Sequence, residues 1–418
     1  MIHNPGIARI LNTFRHRNFA LFITAQTPAM VTLWLQRLAV GWLTWELTGS
    51  PTWLGIIAFA DMMPIILISP LAGAMTDRVN PLTPLRLAQI SVTLQALALF
   101  LFTFTGTMTI WILLGLAIIS GINQAFSAAA RHTLVANLVP HQGLPAAIAI
   151  DSAIFNAARL VGPALAGIVI ATAGIAWAFA INVAGYLFFA VILFRLRVTP
   201  PERTPSPHRN ILGDVIEGWH YVARHPGIGP ILFLLSILAI VGRPIMDLLP
   251  GFAADVFHRD AVGLAWLTSS MGLGALFGAS WLAMRGGVAG LTKVVVTTAL
   301  SLALALLAFS LTDNFWLSLP FMAVTGFGIA VTNTATQTLI QTAVDGPMRG
   351  RVMSLVVLIY RGMPAFGALI LGRIAEDIGL QMSLAGAAVA CLLAWVWATG
   401  QRRRIIPALE GNRPPGRS

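Results

Sequence analysis

Residues 176–195 read AWAFAINVAGYLFFAVILFR, and this stretch carries no charged side chain before its last position, Arg195. An α-helix rises ~1.5 Å per residue and the hydrocarbon core of a bilayer is ~30 Å thick, so ~20 such residues cross it. Comparable apolar stretches follow one another from Phe19 to Thr399, separated by short breaks. The sequence therefore predicts an all-α membrane protein with twelve transmembrane helices.

The overall composition supports the same conclusion. Hydrophobic residues make up 57% of the 418 residues, charged residues make up 10%, and the mean hydropathy is +0.81. A chain of this kind lacks the polar residues needed to cover a soluble fold. Twelve spans use about 250 to 300 residues, so we expect no sizeable soluble domain.

The basic residues are concentrated in alternate breaks between the apolar stretches, which accounts for a net charge of +11 without a nucleic-acid partner. By contrast, the turns near Gly49, Gly106 and Gly174 carry no Lys or Arg. The positive-inside rule therefore predicts that both termini are cytoplasmic, in a multi-pass protein of the inner cell membrane. The basic breaks hold Arg15 and Arg17, Arg78 and Arg86, Arg195 to Arg224, Arg285 and Lys293, Arg349 and Arg351, and Arg402 to Arg404.

The longest break contains four prolines between Pro200 and Pro207, which cannot continue a helix. After them, apolar residues recur at helical spacing from Ile211 to Val222 and predict a short helix lying on the cytoplasmic interface. We interpret the chain as an N-terminal six-helix bundle (1–195), a cytoplasmic linker (196–226), and a C-terminal six-helix bundle with a cytoplasmic tail (227–418). The linker helix either keeps the two halves together or serves as a regulatory docking surface.

The two halves are related by an internal repeat. A shift of 205 positions places Gly121 on Gly326, and Gly162 and Gly167 on Gly367 and Gly372. This constant register predicts a parallel duplication of two pseudo-symmetric bundles. Such an architecture suits alternating access to a site at the interface of the repeats.

Two motifs lie at the ends or in the middle of predicted spans. Residues 73–78 read GAMTDR, and residues 159–167 read RLVGPALAG. With these motifs the chain resembles the major facilitator superfamily, in particular its drug and siderophore exporters. The resemblance implies a gating motif at Gly73, Asp77, Arg78 and Arg131, with Asp77 latching near Arg349, and an exporter-like motif at Gly162, Pro163 and Gly167. It also implies export.

Charged residues within spans cost ~2.5 to 3.5 kcal/mol each at mid-helix, so they must face one another or a wet cavity. Arg37 and Asp61 are each twelve residues from Gly49, which predicts an ion pair at equal depth. Arg243 and Asp247 are four residues apart, which places them on one helix face. Asp61 and Asp247 have either a structural role or a proton-coupling role. The predicted charge network comprises Arg37, Asp61, Arg159, Arg243, Asp247 and Arg361.

Amide side chains among apolar residues indicate a cavity for an amphipathic small molecule. We expect them to contact substrate at Gln36, Asn123, Gln124, Asn156, Asn333 and Gln337. The function predicted is proton-coupled export by a secondary active transporter, and the alternative is import of a small metabolite on the same scaffold. The lipid bilayer, the substrate and protons are the expected partners of a monomer.

An ATP-driven or catalytic role is not predicted. Lys293 is the only lysine and lies outside any phosphate-binding loop, so we expect no use of ATP. No HxxxH, HExxH or paired-Cys spacing occurs, which predicts no metal and no cofactor. We therefore expect a transporter and not an enzyme.

Overall fold

The structure is a computed structural model that describes residues 13–78, 80, 82–140, 143–196 and 211–410. Within these ranges the chain is helical and contains no strand. Eleven of the helices in this part of the chain are long and apolar enough to cross a membrane. The all-α membrane fold predicted from sequence is confirmed.

The first half consists of long helices joined by tight turns. Gly49 adopts a left-handed conformation (φ 58°) after the first helix, which lets the chain reverse within two residues. Thr109 begins the fourth span by accepting a hydrogen bond from the Ile112 amide, a typical helix cap. The helices are α1 Arg17–Thr48, α2 Pro51–Arg78, α3 Leu82–Phe104, α4 Ile110–Leu138, α5 Leu144–Ala173 and α6 Ile175–Arg195.

The second half follows the same order after the linker helix. Asn314 caps one of its spans by accepting from the amides of Trp316 and Leu317. The helices are α7 Ile211–Arg224, α8 Ile228–Ile237, α9 Ile245–Gly251, α10 Ala261–Arg285, α11 Leu291–Ser310, α12 Phe315–Ala343, α13 Gly346–Ile378, α14 Leu380–Gly400 and α15 Arg402–Glu410.

Helix α1 completes the twelve spans. It is 32 residues long, more than enough to cross a bilayer, but it contains no 18-residue stretch as apolar as those of the eleven others. Gln26, Gln36 and Arg37 lie within it and lower its hydropathy. Two of these three polar side chains, Gln26 and Gln36, are almost completely buried.

The seventh span is interrupted, whereas the sequence predicted one continuous helix. A π-helical turn, Leu238–Gly242, follows α8, and a second one, Phe252–Val256, follows α9. The Arg243 amide donates to the Leu238 carbonyl five residues earlier, and Pro244 has no amide hydrogen to continue the α-helical pattern. Arg243 and Asp247 are therefore not on one uninterrupted helix face.

The described residues group into two compact units. One holds the described part of 1–204 together with 253–269, and the other holds the described part of 205–252 together with 270–418. The linker helix α7 belongs to the second unit. The division at 195 and 227 inferred from sequence stays a prediction.

Equivalent glycines make equivalent contacts in the two units. A Cβ added to Gly121 in the fourth span would lie 2.3 Å from the Asp61 carbonyl oxygen in the second span. A Cβ added to Gly326 in the tenth span would lie 1.9 Å from the Met271 carbonyl oxygen in the eighth span. In each unit the glycine therefore lets two equivalent helices touch through their backbones, which gives a physical reason for a glycine at both positions.

Candidate transport site

Asp61 lies at a close backbone contact between the second and fourth spans. Its carbonyl oxygen faces Gly121, and its half-buried carboxylate accepts a hydrogen bond of 3.0 Å from the Gln124 side chain one turn further along α4. The Gln124 amide also donates to the Ser120 hydroxyl at 3.2 Å. The structure thus brings together two of the predicted site residues, an acid and an amide. The predicted ion pair of Asp61 with Arg37 stays a prediction.

A second pair of this kind, missed by the sequence analysis, joins the first and fifth spans. The Gln26 side chain in α1 donates a 2.6 Å hydrogen bond to the carboxylate of Asp151 in α5. Gln26 is 1% exposed. The signal was present in the sequence, because Asp151 lies seven residues inside an apolar span, where a carboxylate is costly.

Two predicted arginines gather around one tryptophan between the same two spans. The Cζ atom of Arg37 lies 5.7 Å from the centroid of the Trp34 ring, and that of Arg159 lies 5.6 Å from it. Both distances fit cation–π contacts. Phe155 packs edge-on against the same ring with centroids 5.6 Å apart. Arg37 is exposed and Arg159 is half-buried.

An apolar cavity of about 620 Å³ lies along the same two helices, toward their N-terminal ends. Its volume falls within the range of small-molecule sites. Thr24 and Thr27 contribute the hydroxyl groups of its wall. The residues that line it are Phe14, Ile23, Thr24, Thr27, Pro28, Ala149, Ile150, Ala153 and Ile154.

Two of the amides predicted to contact substrate are buried in the interior of the first unit. Gln36 is 6% exposed, donates to the Gln95 side chain and accepts from Asn182. Gln95 donates in turn to the Leu116 carbonyl at 3.3 Å. Asn123, also 6% exposed, points into the bundle as well. Sequence spacing alone did not distinguish this buried network from a cavity wall, because both place an amide among apolar residues.

In the second unit two of the predicted residues, Arg243 and Asn333, lie near Tyr360. Arg243 donates a 2.7 Å hydrogen bond to the Tyr360 carbonyl, and its Cζ atom lies 4.1 Å from that ring's centroid. Arg243, Thr332 and Asn333 also line a cavity of about 20 Å³, which is large enough for one water molecule. Asp247 is half-buried in the first turn of α9.

The remaining predicted residues lie outside these contacts. Gln337 and Arg361 are exposed, and half-buried Asn156 donates to the Ser152 carbonyl of its own helix at 2.8 Å. Arg131 lies near the Met30 sulfur at 3.8 Å. The latch itself stays a prediction, because the side chains of Asp77 and Arg78 lie outside the described residues.

The exporter-like motif allows α5 to pack closely on both of its sides. A Cβ at Gly162 would lie 2.6 Å from the Trp34 Cβ, and one at Gly167 would lie 2.4 Å from the Ala265 Cβ. Pro163 is buried between them. A model of the transmembrane secretion effector family matches residues 8–411, nearly the whole chain. The protein belongs to this family of major facilitator transporters.

Curated relatives of this family member are named as efflux proteins. The chain is 24% identical to the multidrug efflux pump Tap of Mycolicibacterium fortuitum, over 86% of this chain and 90% of that protein. It is 20% identical to macrolide efflux protein A of Streptococcus pyogenes, over 88% and 92% of the two chains. It is 27% identical to the enterobactin exporter EntS of Escherichia coli O139:H28, over 56% of each.

Solved transporter structures share the fold. A bacterial homologue of the human lysosomal transporter Spinster aligns with a TM-score of 0.72 and 14% identity, over 96% of this chain and 99% of that one. The nucleoside transporter NupG aligns with a TM-score of 0.69 and 12% identity, over 92% and 98%. The family match and the apolar helices make the protein a multi-pass membrane transporter of the major facilitator type, which acts on a small molecule within a lipid bilayer.

Proposed function

We propose that this protein exports an amphipathic small molecule in exchange for protons, by alternating access, in the inner cell membrane. Both termini face the cytoplasm, as the distribution of arginines favours. The efflux proteins among its relatives support export as the direction. The proposal takes the working unit to be one chain and takes ATP to play no part.

The hydrogen bond between Gln124 and Asp61 is the main observation in support of proton coupling. A glutamine amide donates to an ionised carboxylate through its nitrogen, and it accepts from a protonated carboxyl through its oxygen. The same partner therefore satisfies both charge states of Asp61. Gln26 offers Asp151 the same two hydrogen-bonding options, so the first unit contains two Asp–Gln pairs of this kind.

The energy available from protons is sufficient for export. A charge moving through a membrane potential of 100 mV releases ~2.3 kcal/mol, whereas a tenfold substrate gradient costs ~1.4 kcal/mol. One coupled proton per substrate therefore supports more than a tenfold gradient. The two Asp–Gln pairs lie within spans, where a proton taken up from one side has to pass.

Transport into everted membrane vesicles tests this function. Vesicles containing the protein, energised to an acidic interior, are given a radiolabelled macrolide or a catecholate siderophore. We expect accumulation above that of vesicles lacking the protein, and loss of this accumulation when an uncoupler is added. Accumulation that survives the uncoupler contradicts proton coupling. Accumulation only in right-side-out vesicles supports the alternative function, import of a small metabolite.

A further inference from the structure

We propose that the substrate of this transporter is an organic anion with a planar ring, bound by Arg37 and Arg159 beside the exposed ring of Phe155. The inference rests on the proposed transport function and names the class of molecule that the site of the first unit accepts. It separates acidic substrates from the amines and neutral compounds that an apolar cavity by itself would admit.

The contacts around Trp34 provide the first argument. Two guanidinium groups each lie within 6 Å of the same ring centroid, which concentrates positive charge around Trp34. An acidic group bound in this region is attracted by both charges and can receive charge-assisted hydrogen bonds from the guanidinium groups. Phe155 is 39% exposed beside the same ring, which offers an aromatic face to a planar ligand.

The charge balance of the described part of this unit provides the second argument. Five Arg and Asp side chains lie seven or more residues from the ends of their transmembrane helices. Three are arginines and two are aspartates, so the formal sum is one positive charge even when both carboxylates are ionised. A positive potential inside low-dielectric walls attracts anions and opposes cations. The five are Arg37, Asp61, Arg131, Asp151 and Arg159.

The apolar cavity provides the third argument. It reaches Pro28 in α1 and Ile154 in α5, and both helices continue from there toward Trp34 and Arg159. Six residues separate Pro28 from Trp34, a rise of about 9 Å. The apolar cavity and the two arginines therefore follow one another along the same two helices. An amphipathic anion is complementary to both.

A charge series on one ring system tests the proposal. Purified full-length protein in phosphatidylcholine nanodiscs is titrated calorimetrically, at one pH and without a gradient, with 2-naphthoate, 2-naphthamide and 2-naphthylmethylammonium. We expect the carboxylate to bind about tenfold more tightly than the amide, and the ammonium compound to bind least. Equal affinities, or tightest binding of the ammonium compound, overturn the proposal.

Variants assign the preference to the two arginines. Arg37→Gln and Arg159→Gln should each lower the affinity for naphthoate about tenfold, to that for naphthamide. The affinity for naphthamide should remain unchanged. Arg373→Gln is the matched control, because Arg373 is exposed and paired with Asp377 in its own helix turn, and it should keep the full preference. If a glutamine variant does not fold, the lysine variant at that position retains the charge and should retain the preference. Loss of all three affinities together indicates a structural role and overturns the proposal.

Two further measurements test where the naphthyl compounds bind and whether a lipid takes their place. Ala153→Trp fills the apolar cavity and should lower the affinity for all three naphthyl compounds by the same factor. The preference for the carboxylate should therefore be unchanged. Replacing phosphatidylcholine by phosphatidylglycerol should not abolish naphthoate binding. If it does, an anionic lipid occupies the site at Arg37 and Arg159, and the proposal fails. Because binding is measured without a gradient, failure of proton-coupled export leaves these results unaffected.

Discussion

Gly162 of the fifth span packs directly on Trp34 of the first span, and a Cβ at this glycine would lie 2.6 Å from the Trp34 Cβ. The same added atom would lie 2.6 Å from the Val31 carbonyl oxygen. The close approach positions Trp34 so that Arg159, on the helix of Gly162, reaches its ring. The exporter-like motif thus acts through packing, by setting the distance between two helices that carry the arginines.

Gly162→Ala should destabilise the protein by about 1 to 3 kcal/mol, because the new methyl group forces two backbones apart. Thermal unfolding of the purified protein measures this. Gly115→Ala is the control, since a Cβ at Gly115 in α4 meets nothing within 4 Å. It should be neutral or stabilising by up to about 1 kcal/mol through helix propensity. If Gly162→Ala unfolds at the same temperature as the wild-type protein, the packing argument is wrong.

Asp61→Asn should abolish transport driven by a pH gradient while retaining exchange of labelled for unlabelled substrate without a gradient. Asparagine keeps the size and the hydrogen bond to Gln124 but cannot carry a proton. The same result is expected for Asp247→Asn. Both processes are measured in proteoliposomes.

Asp313→Asn controls for this substitution, because the Asp313 carboxylate accepts from Gln381 at an exposed turn, and its replacement should leave gradient-driven transport unchanged. If Asp61→Asn and Asp247→Asn both remain coupled to the gradient, only a structural role is left for these carboxylates.

The network of Gln36 and Asn182 should behave as one unit in a double-mutant cycle. Asn182→Leu and Gln36→Leu should each cost about 1 to 3 kcal/mol, because each leaves a buried amide without its partner. The double substitution should cost less than the sum of the two. Unfolding free energies of the four proteins test this, and strict additivity argues against the network.

Transport by Gln36→Leu separates an interior role from substrate contact. With Gln36 interior, protein that folds should keep its KM for substrate and lose only stability. A large rise in KM with unchanged stability would instead support the substrate contact that the sequence predicts for Gln36.

Glu410→Ala should destabilise the second unit by about 0.5 to 2 kcal/mol, as expected for loss of a helix cap. The Glu410 carboxylate, at the end of α15, accepts from the amides of Gly290 and Thr292 at the start of α11. Thermal unfolding and the rate of proteolysis within α15 report the change. Arg403→Ala, an exposed change in the same helix, should have no effect. Equal protease resistance of the two variants contradicts the capping role.

Local properties of the chain were sufficient to predict most of the fold. Hydropathy and length located the spans, because crossing a bilayer depends on each segment by itself. The register of 205 residues identified Gly121 and Gly326 as equivalent, and their contacts are equivalent. The interruption of the seventh span was less predictable, since Pro244 is compatible with a kink, a break or a π-helical turn.

The candidate site was predicted less completely. The sequence identified Asp61 and Gln124 as site residues, although not that they bond to each other. It placed Gln36 in the cavity, but rotation of α1 directs this side chain at Asn182. It did not include Asp151, whose partner Gln26 lies 125 positions away in the chain.

The amino-acid sequence by itself determined that this protein is a twelve-helix transporter of duplicated design, because apolar length, charge placement and repeated glycines are properties of the chain alone. Only the tertiary structure decided which polar side chains meet: Asp151 with Gln26, Asp61 with Gln124, and two arginines with Trp34. The physical reason is that a hydrogen bond or a cation–π contact depends on how far each helix is rotated about its axis. That rotation is set by packing against neighbouring helices distant in sequence.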